Sequence, residues 1–153
     1  MTADSLFRLA NSMALAGWLL LAVTGWSARA SRLISSLITG LLVPALLCGL
    51  YTVLIATHWG GHRGGFNSLS SVMLLFTDPW LVLAGWVHYL AFDLFIGSWQ
   101  VRDARRNGVP FIVVLPCLLL TFLFGPIGLL LYLIVAAVVS RGKAWPGHPT
   151  VVT

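Results

Sequence analysis

Long, nearly charge-free apolar intervals dominate this sequence and limit the folds open to it. A helix needs about 20 mostly apolar residues to cross the hydrocarbon core of a bilayer. Four intervals meet that length: residues 9–28, 33–57, 79–101 and 111–139. The sequence therefore predicts an all-α, multi-pass membrane protein with four transmembrane helices, expected in a bacterial inner membrane or its equivalent.

The charge content supports a membrane fold. Only 8% of the 153 residues are charged, whereas 59% are hydrophobic, and a soluble domain carries charge at about a quarter of its positions. Disordered, collagen-like, coiled-coil and nucleic-acid-binding chains are excluded by the same numbers, because each needs charge, repeats or polarity. We expect the net charge of +5 to lie in loops beside anionic headgroups.

The residues between and after the spans complete the predicted domain organisation. The apolar segment 66–76 is too short to cross a membrane, and its helical spacing predicts an interfacial or re-entrant helix between the second and third spans. We assign residues 1–142 to a single transmembrane domain and residues 143–153 to a disordered tail.

Capping and helix-breaking residues refine two of the spans. Asp78 and Pro79 predict the start of the third span, with Asp as N-cap and Pro at the first helical position. Pro116 and the pair Gly125 and Pro126 predict bends in the fourth span, which is long for a single crossing.

The first span and the orientation each have an open alternative. Arg8, the apolar run and the Ala-Arg-Ala sequence at residues 28–30 resemble a cleavable signal peptide, although the run exceeds the usual 7 to 15 residues. The loops after the first and third spans carry five cations: Arg29, Arg32, Arg102, Arg105 and Arg106. The opposite side carries four: Arg8, Arg63, Arg141 and Lys143. This nearly even split weakly favours both termini outside the cytoplasm.

Asp93 is an ionisable residue near the middle of the third predicted span. Such a group costs several kcal/mol at membrane depth and is by default a functional candidate. Asp93 and His88 are the candidate catalytic residues, because carboxyl and imidazole groups serve as general acids and bases. They lie about 140° apart around a helix. The alternative is that both are buried hydrogen-bonding groups that hold helices together.

Other polar residues of the third span share a face with Asp93. Tyr89, Asp93 and Gln100 fall on one stripe, and Gly97 on that side permits another helix to approach closely. The interior of the helix bundle is therefore expected on this side.

Six residues are candidate substrate-binding residues, with packing or interfacial anchoring as the alternative. They are Asn11, Tyr51, Trp86, Tyr89, Phe95 and Gln100. No metal site is predicted, because a Gly-Gly pair separates His58 from His62 and no carboxylate has a matching position.

The third span also carries a recognisable pattern. Trp-x-His at residues 86–88 is followed after four residues by Asp-Leu-Phe at 93–95, and Gly-Pro-Ile-Gly follows at 125–128. The chain from about residue 76 to 131 resembles the neoxanthin synthase family of small membrane proteins, the abscisic-acid-deficient-four-like proteins. The resemblance is weaker at Asn11 and at residues 49–51.

This resemblance implies an isomerase without a cofactor that acts on a carotenoid or related isoprenoid lipid. In plants the family is associated with opening the epoxide of violaxanthin to give the allene and alcohol of neoxanthin. The resemblance assigns the acid and base of that reaction to His88 and Asp93 without deciding between them. The plant pattern has an Arg where this chain has Ser98, which implies a different carotenoid, isoprenoid or lipid substrate.

Other functions and the expected partners complete the predictions. A non-catalytic protein that binds carotenoid or lipid, or that stabilises a biosynthetic enzyme, is the main alternative. A proton-coupled transporter is disfavoured, because four short spans without an internal repeat do not easily give alternating access. The expected partners are a membrane lipid or carotenoid substrate, a second copy in a homodimer, or enzymes of carotenoid biosynthesis, and no nucleic acid.

Overall fold

The computed structural model describes residues 2–60 and 64–142, with side chains described as far as residue 139. All regular elements in these residues are helical: α1 (Ala3–Thr24), α2 (Ala28–Leu33), a π-helical segment (Ile34–Leu42), α3 (Val43–His58), α4 (Leu69–Leu75), α5 (Pro79–Asn107), α6 (Phe111–Phe124) and α7 (Pro126–Gly142). The predicted tail at 143–153 lies outside the described residues.

Three helices in the described part of the chain are long and apolar enough to cross a membrane. They are Ala3–Thr24, Ala28–His58 and Pro79–Asn107. The second of these is continuous through α2, the π segment and α3. By length and composition, the first three predicted spans are confirmed as candidate membrane helices.

The ends of α5 follow the expected capping chemistry. The Asp78 carboxylate accepts hydrogen bonds from the backbone N–H groups of Trp80, at 2.8 Å, and Leu81, at 3.3 Å. Pro79 occupies the start of the helix, as predicted. Gly108 ends the helix in the left-handed conformation, with φ of 66°, where glycine is favoured because it has no Cβ.

The short apolar segment between the second and third spans contains α4. Ser68 caps this helix by accepting a hydrogen bond from the backbone N–H of Ser71 at 3.1 Å. The predicted helical conformation is therefore present over Leu69–Leu75. Its interfacial or re-entrant placement stays a prediction.

The fourth predicted span is not one continuous helix, which corrects the single span expected over residues 111–139. Gly125, with φ of 46°, divides it into α6, of 14 residues, and α7, of 17 residues. The physical reason is the Gly125-Pro126 pair: glycine permits the positive φ, and proline favours a new helix start. Pro116 lies inside α6.

The two halves of this interval form a helical hairpin, which we call the α6–α7 hairpin. A Cβ placed on Gly128 would collide with the backbone of Thr121, and Tyr132 lies near Cys117. A straight helix would separate Cys117 from Tyr132 by about 22 Å at 1.5 Å per residue. The chain therefore reverses at Gly125, and α7 runs back along α6.

Helix α5 lies at the centre of the bundle. Gly97 of α5 faces α1, and a Cβ added to Gly97 would lie 2.5 Å from the Trp18 ring. Buried residues of α1, α3 and α5 form one core cluster, and residues of α1, α5, α6 and α7 form another. The close approach predicted at Gly97 is thus confirmed, and it positions α5 between the α1–α3 pair and the α6–α7 hairpin.

Candidate functional site

The Asp93 carboxyl lies at the tip of the α6–α7 hairpin, at the middle of α5. A Cβ added to Gly125 would lie 2.8 Å from Asp93 Oδ1, so the carboxyl contacts the turn directly. Asp93 Oδ2 is buried and has no hydrogen-bond partner. A buried polar atom without a partner costs about 1 to 3 kcal/mol, and a donor placed against Oδ2 would offset that cost.

The local sequence explains why the turn can accept a carboxyl. Gly125 has no side chain, which leaves room for Asp93, and α7 begins at the next residue, Pro126. The first N–H groups of a helix have no partner within it, and that end carries partial positive charge. The start of α7 therefore presents a favourable electrostatic environment to the Asp93 carboxylate.

Tyr89 lies one helical turn before Asp93 on the same face. Its hydroxyl donates a hydrogen bond to the carbonyl oxygen of Phe122 at 3.2 Å and interacts electrostatically with the Asp93 carboxylate. A hydroxyl and a carboxyl that share one face of a membrane helix can act on the same ligand.

Gln100 continues the predicted stripe toward the end of α5. Its side chain is fully buried and donates to Thr121 Oγ1 at 3.0 Å and to the Gly128 carbonyl oxygen at 3.4 Å. The predicted stripe of Tyr89, Asp93 and Gln100 is confirmed, since all three face the α6–α7 hairpin. The amide of Gln100 therefore links α5 to both α6 and α7.

His88 lies on a different face of α5 from Asp93. Its ring packs against Tyr51 of α3, with ring centroids 5.7 Å apart, and against Phe92 at 4.5 Å. The separation around the helix predicted for these two candidate catalytic residues is therefore present. Tyr51 therefore packs on the His88 face of α5, not on the face that carries Asp93.

Three more of the candidate binding residues lie along the outer parts of α1 and α5. Trp86 Nε1 donates to Asn11 Oδ1 at 2.9 Å, and the Trp86 and Tyr89 rings are 5.4 Å apart. Phe95 is 45% exposed on the outer surface of the bundle. Asn11 and Trp86 thus form a link between α1 and α5 that leads to Tyr89, whereas Phe95 stands apart from it.

An apolar groove of about 400 Å³ runs between α1 and α6. Its walls include Leu15, Trp18 and Leu19 of α1 and Leu115, Leu118 and Phe122 of α6. Phe122 is the residue whose carbonyl oxygen binds the Tyr89 hydroxyl. The surface of this groove suits an apolar chain, although Tyr89 and Asp93 are not among its lining residues.

Ser98 occupies the position at which the resembling plant pattern has an arginine. It is fully buried, and its hydroxyl donates to Thr39 Oγ1 of the π segment at 2.7 Å. In this chain the position joins α5 to the π segment. No arginine is needed there for the helices to pack.

Helix α5 carries a second carboxyl, Asp103, that was not among the candidate site residues predicted from the sequence. Asp103 accepts hydrogen bonds from the Tyr132 hydroxyl at 2.7 Å and from Asn107 Nδ2 at 2.8 Å. Tyr132 is fully buried in α7. The available signal was Tyr132, a residue with a polar hydroxyl inside an otherwise apolar interval. Asp93 was identified by the same kind of signal.

Within residues 2–60 and 64–142, no group of three or more His, Cys, Asp or Glu residues is placed to hold a metal ion. His62, one of the pair considered in the sequence, lies outside these ranges.

Helices able to span a membrane by length and composition, together with a buried carboxyl oxygen and an apolar groove, define the class: a small helical membrane protein. Residues 5–132 match the model of the ABA4-like family, described as ABA DEFICIENT 4-like, and the chain belongs to that family. The family is linked to carotenoid and abscisic-acid-related biosynthesis. No curated protein and no solved structure shows significant similarity to the chain.

Proposed function

We propose that this protein is an integral membrane isomerase that acts on a carotenoid or related isoprenoid lipid by acid/base chemistry. It works as a multi-pass protein of a bacterial inner membrane or an equivalent bilayer. The observation that carries the proposal is the buried Asp93 Oδ2, which has no partner at the hairpin tip. Membership of the ABA4-like family supports the substrate class.

The reaction proposed is the opening of an epoxide next to a polyene, as in the violaxanthin-to-neoxanthin conversion of the neoxanthin synthases that the chain resembles. A base removes a proton from the polyene carbon, and the electrons of that C–H bond form the new allene double bond. The epoxide C–O bond breaks, and its oxygen takes up a proton to become an alcohol. Atoms and oxidation level balance, so the step needs only an acid and a base.

Asp93 is the proposed proton-transfer group of this reaction. The Tyr89 hydroxyl is the proposed acid partner, since it lies on the same face and its present acceptor is the carbonyl of Phe122. His88, the other candidate, faces Tyr51. A ligand bound at Asp93 therefore meets Tyr89 first.

The apolar groove is the proposed place for the isoprenoid chain. It lies between α1 and α6 and has Phe122 in its wall, and the Phe122 carbonyl oxygen binds the Tyr89 hydroxyl. We propose that the oxygenated end of a chain lying there extends past Phe122 to Tyr89 and Asp93. Trp18 forms part of its wall and rests on Gly97.

Asp93→Asn is the direct test, with Asp103→Asn as the matched carboxyl-to-amide change on the same helix. The protein is expressed in cells that make an epoxy-carotenoid, and the pigments are separated by chromatography and identified by mass spectrometry. We expect Asp93→Asn to lower turnover by about 100-fold or more and to leave copurifying pigment unchanged. Asp103→Asn is expected to retain turnover in whatever fraction folds.

Two outcomes would contradict the proposal. Full turnover in Asp93→Asn would remove the carboxyl from the chemistry, and a wild-type protein that yields neither pigment nor product would remove the substrate class. Protein amounts after extraction from the membrane normalise each comparison.

A non-catalytic carotenoid or lipid-binding protein is the second candidate, and the groove favours it because it suits an apolar ligand with or without chemistry. Here a groove-filling change, Ala22→Phe, would abolish copurification of pigment, whereas Asp93→Asn would have no effect on any pigment. The homodimer and the association with carotenoid biosynthesis enzymes stay proposals of the same kind.

A further inference from the structure

A basic cleft lies at the far end of α5 from the hairpin tip. It has a volume of about 460 Å³ between the start of the Ala28–His58 helix and the end of α5. Its lining consists of Ala28, Arg32, Ser35, Ser36, Arg102, Arg105 and Arg106. None of these described lining residues is an Asp or Glu, so the positive charge of four guanidinium groups is not balanced within the cleft.

Two of the arginines are held in place by the neighbouring helix. Arg102 Nη1 donates to the carbonyl oxygen of Ser35. Arg105 Nε donates to Ser31 Oγ at 2.8 Å, and Arg105 Nη2 donates to the Gly25 carbonyl oxygen. These bonds to neutral groups orient the guanidinium groups and leave their charge uncompensated, which favours an anion nearby.

The wall of the cleft also contains a hydroxyl that has no partner. Ser35 is fully buried and its Oγ makes no hydrogen bond. The carbonyl oxygen of the same residue, Ser35, accepts the hydrogen bond from Arg102. The unpartnered hydroxyl therefore belongs to the residue that holds this guanidinium group. A buried hydroxyl without a partner costs free energy, and Ser35 is one of the residues that line the cleft.

The packing around this residue pair is specific. A Cβ added to Gly40 would collide with the Ser35 carbonyl oxygen and lie 2.5 Å from Arg102 Nη1. Glycine at residue 40 therefore permits the bond between the π segment and Arg102. The π-helical conformation coincides with the wall of the cleft, and such segments often occur at functional sites.

We infer that this cleft binds the phosphate of an anionic phospholipid headgroup. Phosphate oxygens are matched by arginine forks and by a hydroxyl donor, and the Ser35 hydroxyl together with Arg32 and Arg106 supplies unused donors. The cleft lies where two candidate membrane helices end or begin, which is the depth of lipid headgroups. This inference is independent of the proposed isomerase activity.

The test measures lipid binding to the full-length protein in neutral detergent micelles by native mass spectrometry. Phosphatidylglycerol is titrated, and phosphatidylcholine and inorganic phosphate are titrated separately to distinguish lipid headgroup from free phosphate. Arg106→Gln is expected to lower the affinity for phosphatidylglycerol by about tenfold. Ser35→Ala, which leaves the charge unchanged, is expected to lower it by about threefold.

Arg29→Gln is the matched control. Arg29 lies in α2, one turn before Arg32, and its replacement removes the same charge, but it does not line this cleft. We expect a change of less than about twofold, because an exposed charge outside the site contributes only through screened electrostatics. Ser35→Ala is expected to leave the stability unchanged or slightly raised, so loss of binding there is not loss of fold.

Equal losses in Arg29→Gln and Arg106→Gln would mean diffuse attraction and would overturn the inference. Unchanged affinity in both Arg106→Gln and Ser35→Ala would overturn it as well. Binding of inorganic phosphate without binding of phosphatidylglycerol would assign the cleft to a soluble phosphate and reject the lipid.

Discussion

Two carboxyl groups on α5 have opposite surroundings, although the same hairpin packs against both. Asp93 lies at the hairpin tip, where its Oδ2 is buried without a partner. Asp103 lies toward the base, where the Tyr132 hydroxyl and Asn107 Nδ2 donate to its Oδ2. Ten residues of one helix therefore separate a carboxylate oxygen with two hydrogen-bond donors from one that has none.

The difference teaches which polar groups stabilise this fold. Hydrogen bonds between helices in a membrane contribute about 0.6 to 2 kcal/mol each, and Asp103, Gln100 and Ser98 make such bonds. Asp93 does not make one through Oδ2. Asp93 contacts the hairpin turn through Oδ1, and its other oxygen, which is buried without a partner, is explained more readily by chemistry than by packing.

The largest expected effect is on the labelling of residue 141, because the hairpin determines on which side of the membrane α7 ends. If the hairpin turns back at Gly125, Arg141 lies on the side of Arg29 and the α5 end, whereas a crossing would place it on the side of Asp4. Single cysteines at Asp4, Arg29 and Arg141, in a background with Cys48 and Cys117 replaced, are labelled with a membrane-impermeant thiol reagent in intact cells and in lysates.

We expect the cysteines at residues 29 and 141 to react alike and the one at residue 4 to react oppositely. The reversal moves Arg141 from the side with four cations to the side of Arg29, which already has five. The positive-inside rule then favours the side of Arg29 as cytoplasmic. Labelling of residues 4 and 141 from the same side would show that α6 and α7 cross, and the comparison of hairpin tip with base would fail.

The next effect distinguishes the two candidate partners of Asp93. Tyr89→Phe is expected to lower turnover by about tenfold or more, because it removes the hydroxyl on the face of Asp93. His88→Gln is expected to change turnover by less than about threefold, because its ring packs on Tyr51. The same pigment assay measures both variants.

The reverse ranking would place the reacting ligand on the α3 face of α5 and would restore the pair of His88 and Asp93 implied by the resemblance. Tyr51→Phe serves as a control for changes at the His88 face, since it retains the ring.

The contrast between the hairpin tip at Asp93 and its base at Asp103 also shows how much of this structure the sequence could predict. Charge-free intervals located the first three long helices, and the Asp78 and Pro79 caps were correct, because both signals are local. The stripe through Tyr89, Asp93 and Gln100 followed from helical periodicity alone. The hairpin was missed: a span counted by apolar length reads the same whether the chain continues through Gly125 or reverses there.

The partners of each polar group could not be predicted, because they depend on that reversal. Gln100 was a candidate for substrate binding, yet the hairpin brings Thr121 to it. Asp103 was not a candidate site residue, yet the hairpin brings Tyr132 to it. Only the three-dimensional return of α7 distinguishes these satisfied groups from Asp93.

Gly125 tests the hairpin tip through stability. Gly125→Ala is expected to destabilise the protein by about 1 to 3 kcal/mol, because alanine is strained at positive φ and its Cβ would lie 2.8 Å from Asp93 Oδ1. Gly49→Ala is the control: nothing lies within 4 Å of a Cβ at residue 49 of α3. That change is expected to raise stability slightly.

Unfolding in mixed detergent and dodecyl sulfate micelles measures both variants. Equal stability of the two alanine variants would contradict the reversal at Gly125.

The smallest effect separates the two carboxyls by stability alone. Tyr132→Phe is expected to cost about 1 kcal/mol, because it removes one of the two donors to Asp103 and leaves the carboxylate with Asn107. Asp93→Asn is expected to change stability by less than about 0.5 kcal/mol, because no hydrogen bond to Oδ2 is lost. The same unfolding measurement ranks them. A larger loss in Asp93→Asn would mean that this carboxyl, like Asp103, holds the hairpin, and the argument that its free oxygen exists for chemistry would no longer stand.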